Sequence, residues 1–183
     1  AEAAGRRARS VRDPGLLAAR YFAVAPVPGA HAPIGICITS ATAVSYHGDR
    51  KVAADDLEAW YAGLCRALAP AGAPILAFTN GSPEDEAFLD RAAPALEAAA
   101  ANGLERRRPA DPAQLAAIVS GLAALVGHRM HALVAAFAFG RPIHALSWDR
   151  KVDAFMASVG AADRLNATDE AGLAAVAARV LAD

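Results

Sequence analysis

Residues 122–151, LAALVGHRMHALVAAFAFGRPIHALSWDRK, contain two short apolar runs joined by a longer segment of helical length. The runs at 122–126 and 143–147 are mostly apolar, which is typical of strands buried on both faces of a sheet. Between them, residues 129–139 are long enough for a helix, and Gly140 predicts where that helix ends. The stretch therefore predicts a β-α-β unit with two parallel strands.

The same alternation continues on both sides of this unit. Further strands are predicted at 34–38, 75–78, 104–107 and 165, and further helices at 54–68, 82–101, 111–120, 151–159 and 170–181. Pro94 is expected to kink or interrupt the helix that contains it. Strands alternating with helices predict a doubly wound, Rossmann-like α/β fold, with a mostly parallel sheet of about six strands and helices on both faces.

Domain organisation follows from where this pattern begins. Residues 34–183 are predicted to form a Rossmann-like C-terminal domain. Residues 1–33 contain several prolines and are interpreted as an irregular linker or the remnant of an N-terminal half, with a short helix at 15–24.

Composition excludes some classes of protein. The 183 residues are 55% hydrophobic and 20% charged, which is a globular balance. The net charge of −1 gives no support for a nucleic-acid partner. Neither Cys37 nor Cys65 lies in a CxxC pattern, and no apolar stretch approaches the ~20 residues that cross a bilayer. A cytoplasmic protein is therefore expected.

The ligand site is expected beyond the carboxyl ends of the strands, as in other open α/β sheets. The loops there are predicted at 39–47, 79–82, 127–129 and 147–151, and the last two concentrate polar and basic residues. Both lead into helix starts, where cations oppose the helix dipole unless an anion is bound. Phosphate and carboxylate are the natural candidates. The alternative is a solvated cluster in which Asp149 pairs with Arg150 or Arg129.

Several short motifs occur in order in this region. They are Arg129-Met130-His131, Gly140-Arg141-Pro142, the strand at 143–146, and Trp148-Asp149-Arg150-Lys151. In this order and spacing the segment resembles the polysaccharide pyruvyl transferase family, which commonly has tyrosine where Trp148 stands. Val11-Arg12-Asp13 is similar to a V-R-D element of that family. The resemblance covers roughly residues 10–160, the C-terminal half and a connecting strip.

The resemblance implies a two-sided, GT-B-like enzyme that transfers the pyruvyl group of phosphoenolpyruvate to a sugar of a cell-surface polysaccharide, giving a ketal. Family members are usually longer, so an N-terminal half would be missing here or lie on another chain. The implied partners are the small-molecule donor and a glycan acceptor, and a membrane-linked glycan would imply peripheral membrane association. Apart from phosphoenolpyruvate as donor substrate, the scheme requires no cofactor and no metal.

The resemblance also assigns residues to roles. Arg129 and Lys151 would bind the charges of the donor, and His131 would be a general acid or a phosphate ligand. The further substrate-binding candidates are Arg12, His128, Trp148, Arg150, Thr39 and Ser40.

Other interpretations of these residues stay open. His131 alone would more often be a packed or capping histidine, and Trp148 either stacks on a ligand or covers the apolar edge. His144 is interpreted as a buried, hydrogen-bonded histidine. The chain could instead be a nucleotide-sugar-binding half of a glycosyltransferase, or a non-catalytic binding module.

Overall fold

The computed structural model describes residues 11–24, 29, 31–48 and 51–183. The described residues form a six-stranded sheet in the order β3-β2-β1-β4-β5-β6, and every neighbouring pair is parallel. The strands are β1 Ile34–Cys37, β2 Ile75–Phe78, β3 Leu104–Arg107, β4 Ala124–Gly127, β5 Ile143–Leu146 and β6 Leu165–Asn166. The helices are α1 Ala18–Phe22, α2 Ala41–His47, α3 Ala54–Ala67, α4 Pro83–Ala99, α5 Pro112–Ser120, α6 Met130–Ala138, α7 Arg150–Ser158 and α8 Glu170–Val180.

Two hydrophobic cores lie on opposite faces of this sheet. Helices α2, α3, α4 and α8 supply the first, and α5, α6 and α7 supply the second. Trp148 packs against both cores, so it lies at the edge where the two layers meet. The predicted doubly wound, Rossmann-like sheet with helices on both faces is therefore confirmed.

The chain reverses its direction of travel across the sheet between β1 and β4. It starts at β1, steps outward to β3, then crosses to β4 and continues to β6. This reversal opens a crevice at the carboxyl ends of β1 and β4. The two strands approach closely there, because a Cβ on Gly127 would lie 2.9 Å from the Cβ of Cys37. Gly127 therefore allows β4 to end beside β1.

Some predicted boundaries were wrong. The predicted loop at 39–47 contains α2, a short helix whose β-branched and serine residues give a weak helical signal. The strand predicted at 122–126 begins later, at Ala124, because the N–H groups of Gly121 and Leu122 still donate to carbonyl groups of α5. Helix α4 continues through Pro94 without interruption. Pro94 lies on the exposed side of the helix, while Ala93 and Leu96 are buried.

The segment before β1 packs on the sheet's second layer. A 3-10 turn at Pro14–Leu17 leads into α1, and both contact α6. A Cβ on Gly15 would lie 2.8 Å from the Cγ1 of Val134, so this packing requires a small residue. The predicted helix at 15–24 is thus partly confirmed, while the division into 1–33 and 34–183 stays a prediction.

Candidate functional site

Residues from three strand-end loops converge on one cavity at the carboxyl edge of the sheet. The cavity has a volume of about 280 Å³ and lies beside the start of α6. Arg129, His131 and Lys151, the three residues predicted to be catalytic, all line it. It is lined by Asn80, Ser82, Arg129, Met130, His131, Trp148, Asp149, Lys151 and Val152. The structure therefore places the R-x-H motif and the later lysine on a shared surface.

The two helix starts at this edge differ in how their free N–H groups are satisfied. Helix α6 begins at Met130, and its N-cap residue, Arg129, makes no capping side-chain hydrogen bond within the described chain. Helix α7 is capped by Asp149, whose Oδ1 accepts a hydrogen bond of 2.8 Å from the backbone N–H of Lys151. At α7 one of the helix-start N–H groups is therefore already satisfied by the chain's own aspartate, and the prediction of an anion at both helix starts stays a prediction with stronger support at α6.

Arg129 is held by a buried carboxylate from a different loop. Its Nε donates to Oδ2 of Asp85 over 2.8 Å, and its Nη2 lies 2.5 Å from the same oxygen. Asp85 is fully buried, and its Oδ1 accepts a 2.8 Å hydrogen bond from the backbone N–H of Ser40. The guanidinium carbon of Arg129 also lies 5.2 Å from the centre of the Trp148 ring. These contacts fix the guanidinium group and balance its charge.

Asp85 was not identified as a site residue from the sequence. Its position in the first turn of α4 is that of an ordinary helix-start acid, with Glu84 and Glu86 beside it. Only the strand order brings the loop after β2 next to the loop after β4, across β1. The proposed pairing of Asp149 with Arg129 is therefore wrong: the partner of Arg129 is Asp85.

His128 is part of a buried hydrogen-bonded chain. The backbone N–H of Thr39 donates to the hydroxyl oxygen of Tyr61 over 3.2 Å, and that hydroxyl lies 3.1 Å from Nδ1 of His128. The tautomer of His128 sets which of these two groups donates to the other, and the buried Nε2 of His128 has no hydrogen-bond partner among the described residues. Burial, followed by the charge of Arg129, lowers the pKa of His128 to about 3. His128 is therefore a neutral interior group, and it does not line the cavity.

The remaining substrate-binding candidates are dispersed. Thr39 and Ser40 are buried, and Ser40 uses its hydroxyl to cap α2 at the N–H of Ala43 over 3.2 Å. Arg12 is exposed and lines a neighbouring cavity of about 350 Å³. Arg150 lines a different cavity, of about 450 Å³, and Lys151 does not line that cavity. Of the six candidates, Trp148 alone joins the three predicted catalytic residues in one cavity.

His144 lies in β5, away from this edge of the sheet. Its side chain is buried, and its Nε2 lies 2.8 Å from Oδ2 of Asp183, which also pairs with Arg164. Burial lowers the pKa of His144 despite the nearby carboxylate. The interpretation of His144 as a satisfied interior histidine is confirmed for its burial and for Nε2, while Nδ1 has no hydrogen-bond partner among the described residues.

Two further observations concern metals and membranes. Across the ranges that the structure describes, no group of three or more His, Cys, Asp or Glu side chains is arranged to hold a metal ion. Within the same ranges, every helix is too short or too polar to traverse a bilayer.

Comparison with known proteins gives one match. The family model for polysaccharide pyruvyl transferase matches residues 1–150, which include the R-x-H motif, Trp148 and Asp149 and end just before Lys151. No curated protein and no solved structure matches the chain.

Proposed function

Because the chain belongs to the polysaccharide pyruvyl transferase family, we propose that the cavity beside α6 binds phosphoenolpyruvate and that its pyruvyl group is transferred to a sugar. Family membership gives a general role in polysaccharide modification. The residues of the cavity support the choice of donor and the reaction step.

The observation that carries the proposal is the uneven balance of charge around the cavity. The charge of Arg129 is offset by Asp85. Asp149 also borders the cavity, but its carboxylate caps α7, and the positive end of that helix partly offsets its charge. Lys151 borders the cavity, and no acidic side chain in the described ranges lies within ion-pair distance of its ammonium group. Together with the N-terminus of α6, whose N-cap side chain is uncommitted to capping, Lys151 leaves a local excess of positive charge. That excess suits a ligand with both a phosphate and a carboxylate.

The proposed reaction needs one proton on the methylene carbon of phosphoenolpyruvate and two new bonds to its C2. A sugar hydroxyl attacks C2 as the methylene carbon is protonated. A second hydroxyl of the same sugar then replaces phosphate, and the bond between C2 and the bridging phosphate oxygen breaks. One hydroxyl proton balances the new methyl group, and the other leaves with inorganic phosphate. The product is a cyclic ketal, and no oxidation or reduction occurs.

The position of His131 supports a role for it in the proposed reaction. It is exposed, lies in the first turn of α6 and borders the cavity together with Lys151. We assign to it either proton delivery or a hydrogen bond to the departing phosphate. Arg129, held by Asp85 at a fixed position over Trp148, would orient the donor by its remaining N–H groups rather than by net charge.

Calorimetric titration of the chain with phosphoenolpyruvate, and separately with UDP-glucose, tests the assignment. The proposal predicts saturable binding of phosphoenolpyruvate and weaker or no binding of UDP-glucose. Preferential binding of UDP-glucose would indicate a nucleotide-sugar site instead, and binding of neither would reject the donor site.

The variant His131→Gln distinguishes the two roles of His131, because glutamine donates a hydrogen bond but does not deliver a proton near neutral pH. If His131 is the acid, the variant binds phosphoenolpyruvate normally and loses about 10²- to 10⁴-fold in turnover. If it is a phosphate ligand, affinity falls when His131 is replaced by alanine and is largely restored by glutamine. Unchanged turnover and affinity in both variants would remove His131 from the site.

A further inference from the structure

We propose that a second cavity, beyond Trp148, binds the acceptor saccharide; this inference rests on the proposed function of the first cavity. The second cavity has a volume of about 450 Å³ and lies between the start of α3 and the ends of β5 and β6. Its polar lining comes from Lys51, Asp56, Ser147, Asp149, Arg150, Asp153 and Thr168. The volume is within the range of small-molecule binding sites.

The start of α7 separates the two cavities. Arg150 and Lys151 are consecutive in its first turn, yet Lys151 borders the donor cavity and Arg150 borders the second one. Trp148 and Asp149 border both. Successive residues on a helix point about 100° apart, so two adjacent cations can face two different ligands. Ligands in the two cavities would therefore approach each other across Trp148 and Asp149.

The second cavity combines hydrogen-bond donors with acceptors. Asp56 and Asp153 provide carboxylates, Lys51 and Arg150 provide cations, and Thr168 provides a hydroxyl. Each hydroxyl of a sugar both donates and accepts, so a neutral polyol can use groups of both kinds. Phosphoenolpyruvate carries acceptors only, so it would be repelled more by the three carboxylates that border this cavity, Asp56, Asp149 and Asp153, than by Asp149 alone in the lining of the donor cavity.

Ser147 and Trp148 add geometry to this lining. The Ser147 hydroxyl donates to Oδ1 of Asp153 over 2.9 Å, which fixes that carboxylate at the wall of the cavity. Trp148 also borders the cavity, and an aromatic residue beside polar groups suits the C–H faces of a pyranose. The lining thus fits a pyranoside better than a small anion.

The chemistry of ketal formation restricts which sugar can react. Both new bonds to C2 of the donor must come from one acceptor, so the acceptor must present two neighbouring hydroxyls. A hexopyranoside with free 4- and 6-hydroxyls meets this requirement. Methyl glycosides of glucose, galactose and mannose are therefore suitable probes.

Titration of the isotope-labelled chain with these methyl glycosides, monitored by amide chemical shifts, tests the proposal without relying on turnover. We expect at least one glycoside to shift the amides of Ser147, Arg150 and Thr168, while phosphoenolpyruvate shifts those of Met130 and His131. Absence of saturable binding by all three glycosides up to about 20 mM, or shifts confined to other surfaces, would overturn the acceptor site.

Two pairs of variants supply the controls. Asp56→Asn should weaken glycoside binding about tenfold, because a hydrogen bond to a charged group is lost. Asp55→Asn makes the same change one residue away, at a carboxylate that pairs with Arg91 and does not border the cavity. It should leave glycoside affinity unchanged, and equal effects of the two variants would contradict the proposal.

The second pair separates failure of this inference from failure of the proposed function. Arg150→Met should weaken glycoside binding and leave phosphoenolpyruvate binding unchanged, while Lys151→Met should do the reverse. If Lys151→Met weakens phosphoenolpyruvate binding but Arg150→Met leaves glycoside binding intact, the acceptor site is wrong and the donor site stands. If phosphoenolpyruvate does not bind, the proposed function fails whatever the glycosides do.

Discussion

Replacement of Asp85 by alanine should destabilise the fold strongly, because its carboxylate is fully buried and satisfies one group after β1 and another after β4. The substitution removes two contacts to Arg129, of 2.8 and 2.5 Å, and one of 2.8 Å to the N–H of Ser40. Removing one partner of a buried ion pair costs roughly 3–5 kcal/mol. The side chain of Arg129 remains 20% exposed, so water can partly solvate it, and we expect a cost of about 3 kcal/mol.

Urea unfolding followed by far-ultraviolet circular dichroism measures this loss. The comparison is valid if the free energy of unfolding falls with urea concentration at the same slope in the variant and in the unmodified chain. Arg129→Met should also be destabilising, since it leaves the Asp85 carboxylate buried without its cation. The double variant should cost less than the sum of the single variants, with a coupling of about 1–3 kcal/mol. Asp55→Ala, which breaks the exposed pair with Arg91, should cost no more than about 1 kcal/mol. An additive cycle, or an Asp85→Ala loss equal to that control, would refute the reasoning.

Further predictions concern pH, capping and packing. Burial lowers the pKa of His128 from 6.5 to about 3, so the free energy of unfolding should be highest above pH 6.5 and fall below it, by up to about 1.4 kcal/mol per pH unit. His128→Asn, whose side-chain amide does not titrate and can still hydrogen-bond to Tyr61, should flatten this pH dependence, and an unchanged slope would contradict the prediction. Asp149→Ala and Asp111→Ala each remove a helix N-cap, and each should lower the free energy of unfolding in urea by about 1 kcal/mol. Only Asp149→Ala should alter the affinity for phosphoenolpyruvate. Equal effects of the two variants on that affinity would argue against the donor cavity. Gly127→Ala should lower the free energy of unfolding by about 1–3 kcal/mol, because its Cβ would lie 2.9 Å from that of Cys37. An unchanged melting temperature would indicate that β1 and β4 can move apart freely.

The fold was predictable because its signal is repeated along the chain. Buried strands such as β1, β2 and β5 are short apolar runs, and Gly140 and Gly160 mark helix ends with positive φ values of 68° and 74°. The convergence of Arg129, His131 and Lys151 was also predictable, since parallel strands end at one edge of a sheet. Helix α2 was missed because its seven residues give no clear amphipathic repeat.

The details of the site required tertiary structure. The partner of Arg129 comes from the loop after β2, and the strand order that places Asp85 there cannot be read from local pattern. His128 follows a strand end like a ligand-binding residue, yet Tyr61 of α3 reaches it inside the core. The separation of Arg150 from Lys151 depends on the rotation of α7 about its axis, which its first-turn sequence does not determine.

The affinity for phosphoenolpyruvate of the variant Lys151→Met, compared with that of Arg66→Met, tests the donor site most directly. Both variants remove one exposed cation, but Arg66 lies in the last turn of α3 and borders neither cavity. We predict that calorimetry gives a dissociation constant about tenfold or more higher for Lys151→Met and an unchanged value for Arg66→Met. Equal affinity of the two variants and the unmodified chain would contradict an anion site at the start of α6.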